Sequence, residues 1–452
     1  MKKSPKPSRG RWLWLGFGLT GVAMLSATAG ALLAVSLSST PLMQSKLSPE
    51  DEAVFSGGDL TRTDMRLPQL TRPVNILILG TKVLTSDLEE PPEDELGYHA
   101  LVNSLDGLSD TMLMVRFNPS AEQLSVLSIP RDTRTRIEGV GTTKINEANY
   151  YGGPALSAKA VSELLGGVGI DRYVRVNVQA VEKLVDALGG VTVYVPHDMK
   201  YQDDSQHLYI NLKAGKQHLN GSEALQFLRY RYDNMGDIGR IQRQQLLMRA
   251  MIEQTLDFKT LMRLPKILSV IQEHIDTNLS IEELVALAGF ASDVSHENVE
   301  MLMLPGDFNN PENYDEVSYW LPNYARIDAM MAEHFDRGMA RDDYYRSLDP
   351  AYMRIAIQDS TGSPEAIDAL IDTLYDAGYH NVFVSQSWSE PLEETRIVAQ
   401  YGDIESARAL RRTLGLGDVR VESTGSLQSD VTIQVGEDWL QQQEPFLQSA
   451  RR

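Results

Sequence analysis

No cysteine occurs anywhere in the 452 residues, which removes disulfide cross-links, thiolate metal sites and cysteine nucleophiles from consideration. Histidine is scarce too. Its eight copies are scattered singly, so none forms the i, i+4 pair beside a glutamate that a zinc-peptidase helix needs. There is no Gly-x-Ser-x-Gly elbow, and Gly215-Lys216 lacks the upstream glycine of a P-loop. The glycines from Gly166 to Ile170 follow a helical pattern instead of opening one, so they make a turn and not a dinucleotide loop. Positive charge is in deficit as well, with a formal net charge of −20. So acidic a chain argues against nucleic acid as a partner, because phosphate backbones require a basic footprint.

The length allows about three domains, and 42% hydrophobic residues are enough for a real core. Residues 1–11 carry five positive charges and no acid, and residues 12–37 follow with no charge at all. As a helix this run would span roughly 39 Å, enough to cross a hydrocarbon layer of about 30 Å. A cleavable signal peptide has a shorter apolar region, about 7 to 15 residues, so the run reads as a single membrane anchor. The basic flank then lies in the cytoplasm and the bulk of the chain outside it. Residues 38–72, polar and marked by Pro41, Pro49 and Gly57-Gly58, read as a linker off the membrane.

From Pro73 the pattern is that of an α/β domain, a mixed sheet flanked by helices in three layers, running to about residue 335. PVNILILG is a buried strand, and the acidic, proline-broken stretch after it is an exposed loop. SDTMLMVRFNP and QLSVLSIP make two strands about the turn at Asn118 to Ser120. Helices are predicted over Ala155 to Gly166 and Val178 to Gly190, flanked by the strands VRVNV and VTVYVP. Further helical runs cover Gln242 to Thr255 and Ile281 to Ala291, while VEMLMLPG and VSYWLPN supply the closing strands of the same domain. A charged second linker at 336–352 precedes a small α/β domain over 353–440, a strand-turn-helix unit followed by four more strands and a helix.

Against the acidic background, LRYRYDNMGDIGRIQRQQ gathers Arg229, Arg231, Arg240 and Arg243 around a Gly-Asp turn. Arg229 and Arg231 read as alternate residues of an extended segment, while Arg240, Arg243 and Gln244 have helical spacing. Guanidinium forks match phosphate oxygens, so the cluster suits a pyrophosphate; alone, it reads equally as a solvated basic face. Three other segments carry candidate chemistry. Asp110 opens an apolar strand beside Thr111, as a metal ligand or a simple cap. Arg131 and Asp132 follow a strand ended by Pro130, as an anion site or a local ion pair. Lys144 and Asn146 sit in a glycine-flanked, hydroxyl-rich loop, a turn or a place for close ligand approach. Taken together, one acid, one lysine and the arginines at strand ends and loop mouths suit a metal-neutralised pyrophosphate.

These four segments in this order, SDTMLMVRFNP, SIPRDT, KINEANYYGG and ALQFLRYRYDNMGDIGRIQRQQ, resemble the LytR-CpsA-Psr family of envelope proteins. The likeness runs from about Pro73 to about His334, and residues 353–439 are similar to the LytR C-terminal domain. The resemblance implies a membrane-anchored, extracytoplasmic transferase that moves a glycan polymer from a polyprenyl-pyrophosphate carrier to a hydroxyl of peptidoglycan, with Mg²⁺ on the pyrophosphate. It assigns Asp110 to the metal, and Arg131, Lys144, Arg229, Arg231, Arg240 and Gln244 to the pyrophosphate, with Arg243 structural. Arg131 and Asp132 are the catalytic candidates, Asp132 or Asp237 as proton acceptor. One departure stands out: a second metal-binding Asp common in the family is here Thr81, for which Asp87 is a substitute within the acidic loop. Two other readings carry weight: a non-catalytic scaffold or regulator that binds the lipid-linked glycan, and a polyprenyl-pyrophosphate phosphatase.

Overall fold

The computed structural model describes residues 42–62, 68–81, 105–204, 208–230, 236–255, 258–309, 317–336 and 350–450. The predicted anchor, Asp87 and Arg231 lie outside the described residues. Among these residues no helix is long and apolar enough to cross a membrane.

Six strands form the main sheet: β1 (Val74–Thr81), β2 (Ser109–Asn118), β3 (Gln123–Ile129), β4 (Arg172–Asn177), β5 (Ile275–Thr277) and β6 (Val299–Met303), in the order β5-β4-β1-β2-β3-β6. β1 and β2 pair antiparallel, as do β2 and β3 and the edge pair β4 and β5, while β1 with β4 and β3 with β6 are parallel. The sheet is therefore mixed. Its strands are apolar on both faces, which demands cover on both sides. Alternate residues divide between the two. Leu77, Leu79, Met112, Met114 and Leu127 pack with Ala155, Ala158 and Val161 of helix α1 (Glu147–Leu164). Leu113, Val115 and Val126 pack instead with Met248 and Ile252 of helix α4 (Gly236–Thr255) and Phe290 of α6 (Ile281–Asp293), and the expected three layers result. Between α1 and α4, helices α2 (Val178–Leu188) and α3 (Gly221–Arg229) build a satellite core with small hairpins; α5 (Phe258–His274) follows.

Several expectations need correction. The predicted linker at 38–72 is built into the fold over its described part, with Met43, Phe55 and Leu60 buried and Ser45 bonded to Asp276 through its N–H and its hydroxyl. VTVYVP and Trp320–Pro322 are strands as expected, the first in a separate two-stranded sheet with Gly215–Leu219 and the second paired with Gly306–Phe308. Arg229 is not in an extended segment. It ends α3, whose capping box of Asn220 and Glu223 fixes the helix start nine residues earlier.

The C-terminal domain holds β7 (Arg354–Asp359), β8 (Asn381–Val384), β9 (Arg396–Ala399), β10 (Asp418–Val421) and β11 (Val431–Val435) in the order β8-β7-β11-β9-β10. This follows the sequence expectation strand for strand. What the sequence did not indicate is that the two domains share one continuous apolar core: Met303 and Leu304 of the first cluster with Met353 and Ile355 of the second. The sheets also approach edge to edge, through a parallel bridge between Met301 and Glu422.

Candidate active site

β1, β2 and β3 deliver their ends to one rim of the sheet. Glycine suits position 80, because a Cβ there would lie 3.0 Å from that of Thr111, a tight contact just where β1 and β2 shift register. Asp110 and Thr111 lie on β2 at this rim, and Pro130 ends β3 and turns the chain so that Arg131 and Asp132 follow it. The turn is held by the backbone. Asn146 N–H donates to the Arg131 carbonyl, Ser109 N–H to the Asn146 carbonyl, and Trp320 N–H to the Asp132 carbonyl at 2.9 Å.

These residues surround a small open cleft whose polar lining is Asp110, Thr111, Arg131, Asp132, Arg240 and Gln244. Arg131 Nη1 donates to Asp110 Oδ1 at 2.6 Å, and Arg131 Nε lies 3.7 Å from Asp132 Oδ2. Lys144 Nζ lies 2.9 Å from Asp132 Oδ1, and so joins the set through that carboxylate. From α4, Gln244 Nε2 donates to Thr111 Oγ1 at 2.9 Å. Cations and carboxylates thus alternate along the rim. The same lining includes the apolar side chains of Met112, Leu113, Ile129, Ile241, Phe308 and Trp320.

Asp110, Arg131, Asp132, Arg240 and Gln244 are therefore brought together as the sequence led one to expect, with Lys144 beside them. Arg229 is not among the cleft-lining residues. Asp237 opens α4, but its side chain is not among those described. Arg243 is buried and donates to the Tyr230 carbonyl, which agrees with its structural reading. Phe308 and Trp320 escaped sequence reasoning as site residues. They pack edge to face at 5.2 Å across two short strands remote in sequence from the motifs, and no spacing signalled them.

Mg²⁺ commonly takes one or two carboxylates, with waters and substrate phosphates completing its octahedron. Asp110 fits that single-carboxylate role, since its side chain is partly exposed at the cleft beside hydroxyl oxygens. Among the described residues no group of three or more acids or histidines offers a dedicated cage. A metal held here would be shared with a phosphate ligand.

The model of the LytR_cpsA_psr family matches residues 42–336, well over half of the chain. The chain belongs to this family. A second model, described as LytR cell envelope-related transcriptional attenuator, matches residues 352–439. Among curated relatives, a Bacillus cereus protein named polyisoprenyl-teichoic acid–peptidoglycan teichoic acid transferase TagU is 34% identical over 261 residues, covering 57% of this chain and 77% of that protein. The Bacillus subtilis protein of the same description, TagV, is 32% identical over 239 residues, 51% of this chain and 60% of that one. The crystal structure of B. subtilis TagV superposes with a TM-score of 0.48 at 27% identity, over 59% of this chain and 98% of that one.

Proposed function

We propose that this LytR_cpsA_psr protein is a membrane-anchored transferase, working outside the cytoplasmic membrane, that moves a glycan polymer from a polyprenyl-pyrophosphate carrier to peptidoglycan. One observation carries the reading: a cleft whose lining combines the guanidinium groups of Arg131 and Arg240 with apolar side chains, and to which Lys144 is joined through Asp132, matches a ligand that is pyrophosphate at one end and polyisoprenoid at the other. The names of the relatives describe the same class of reaction.

In this reading Arg131, Arg240 and Lys144 bind the pyrophosphate and Gln244 fixes its edge, with Arg231 as a further contact, while Arg229, outside the cleft lining, is not assigned to it. An acceptor hydroxyl of peptidoglycan attacks the phosphorus next to the glycan, the bridging P–O bond breaks, and polyprenyl phosphate leaves while a phosphodiester forms on the acceptor. Attack at the anomeric carbon would leave both phosphates on the lipid. In either case charge grows on the departing phosphate, where guanidinium groups already in place stabilise it without reorganisation. Asp132, which lines the cleft, takes the hydroxyl proton in this reading. When bound through Asp110, Mg²⁺ would add charge neutralisation on the pyrophosphate oxygens.

The test is transfer itself. Full-length protein in detergent is given a polyprenyl-pyrophosphate-linked glycan and peptidoglycan fragments, with Mg²⁺. Glycan appearing on the fragments supports the reading. Lipid bound without transfer or phosphate release points to the scaffold instead, and release with water as sole acceptor points to a phosphatase.

A further inference from the structure

Helix α4 carries two site residues on one face and a second set of contacts on the other. Arg240 and Gln244, four residues apart, both face the cleft. Gln242 and Arg249 are seven residues apart and so also share a face. At about 100° per residue Gln242 is turned roughly 200° from both Arg240 and Gln244, which puts the two faces on opposite sides of the helix. That second face meets the C-terminal domain. Gln242 Nε2 donates to the carbonyls of Ser423 and Gly425 at 3.2 and 2.9 Å. Arg249 Nη2 lies 2.6 Å from Glu422 Oε1 in an ion pair whose side chains are 11% and 5% exposed.

Glu422 does more than pair with Arg249. Its other oxygen accepts from Thr424 Oγ1 at 2.9 Å, and its backbone bridges Met301 on the outer strand of the main sheet. One residue of the C-terminal domain therefore fixes both α4 and the sheet edge beside it. Gln245, next to Gln244, completes the clamp from within by donating to Ser128 Oγ and the Leu302 carbonyl.

We propose that the C-terminal domain is a buttress for the site: through Glu422 and the carbonyls of Ser423 and Gly425 it sets the position of α4, and thereby of Arg240 and Gln244. Gln242, Arg249 and Glu422 are positioning residues. They lie behind the helix and touch no cleft-lining side chain through the contacts named. The inference rests on the reading of the cleft as a pyrophosphate site, because that reading gives the position of Arg240 its consequence. A buried ion pair restricts the position of the helix that carries it, and loss of one charge leaves the other uncompensated.

The experiment uses the full chain with Glu422→Gln, Arg249→Lys and the charge exchange R249E/E422R, with two readouts. The first is amide hydrogen exchange over residues 236–255, which requires no activity. The buttress predicts faster exchange in Glu422→Gln, with partial recovery in the exchanged pair. The second is steady-state transfer from a polyprenyl-pyrophosphate-linked disaccharide, where Glu422→Gln should raise KM for the donor about tenfold with kcat changed less. Arg249→Lys, which keeps the charge, should lie near wild type. Unchanged exchange over α4 in Glu422→Gln would overturn the proposal, and so would equal loss of kcat in all variants tracking the lost folded fraction. Should wild type neither bind nor transfer the donor, the functional reading fails by itself, while the exchange experiment still decides whether the domain holds the helix.

Discussion

Arg131 donates through Nη1 to Asp110 Oδ1 at 2.6 Å, so the first cation and the first acid of the site are already partners before any ligand arrives. In the proposed reading, a phosphate entering the cleft would take over the charge-assisted hydrogen bond of the Arg131 guanidinium, and Asp110 would then be the carboxylate left for a metal. Bonds of this kind contribute about 1.5 to 3 kcal/mol each. Arg131→Ala should therefore lower kcat/KM by about 10- to 150-fold. Its thermal midpoint should stay close to wild type, because the side chain is partly exposed at the cleft. Steady-state transfer and a melting curve on the same preparation check both halves.

Arg243 and Arg240 separate the opposite way. Both are buried, but Arg240 lines the cleft whereas Arg243 donates to the Tyr230 carbonyl and lies 5.8 Å over the Tyr230 ring. Arg243→Ala leaves a buried carbonyl without that donor and should lower the melting temperature by several degrees. Arg240→Ala should instead reduce turnover with the larger loss in donor binding. Melting curves and donor KM on the two variants distinguish them.

In the proposed reading, divalent-cation binding is ligand-linked. With a single carboxylate and Thr81 at the neighbouring strand end, Mn²⁺ used as a paramagnetic probe should bind weakly to the protein alone and markedly tighter with inorganic pyrophosphate present. Asp110→Asn should remove the response to pyrophosphate. Electron paramagnetic resonance of free Mn²⁺ measures it, and tight binding without pyrophosphate that survives in Asp110→Asn would place the cation elsewhere.

A buried acid–base pair predicts pH dependence of stability rather than of catalysis. Burial opposes the charge on His334, yet Glu300, hydrogen-bonded to His334 Nδ1 at 2.9 Å, holds the imidazole above its ordinary value. Glu300 also accepts from Gln123 Nε2 and Ser125 Oγ, so its carboxylate is held in place. A folded-state pKa above the unfolded value of about 6.5 means that the stabilisation is complete below that pH and is lost as pH rises through the folded-state pKa. The melting temperature of wild type should fall across that rise more than that of His334→Gln, and parallel pH profiles for the two would contradict it.

Much of the site was readable because its residues sit at the ends of strongly patterned strands. The apolar runs that make β2 and β3 also fix where Asp110, Arg131 and Asp132 emerge, and the helical spacing of Arg240 and Gln244 gave their common face. Arg229 was misplaced because LRYRY alternates like a strand, although Asn220 with Glu223 three residues on is a helix-start signal that outweighs so short an alternation. The burial of Met43, Phe55 and Leu60 was hidden because the segment carries no sustained helical or strand periodicity to mark a buried face. Trp320, the back of α4 and Glu422 depend on contacts between segments 100 or more residues apart, such as Gln242 with Ser423, and local pattern carries no trace of those.

The most direct test of the central claim is mass spectrometry of lipid released from the purified full-length protein, wild type beside Arg131→Ala. The account predicts a polyprenyl pyrophosphate bearing sugar on wild type and its depletion in the variant. Absence of any isoprenoid phosphate from wild type, or equal amounts in both, would contradict it.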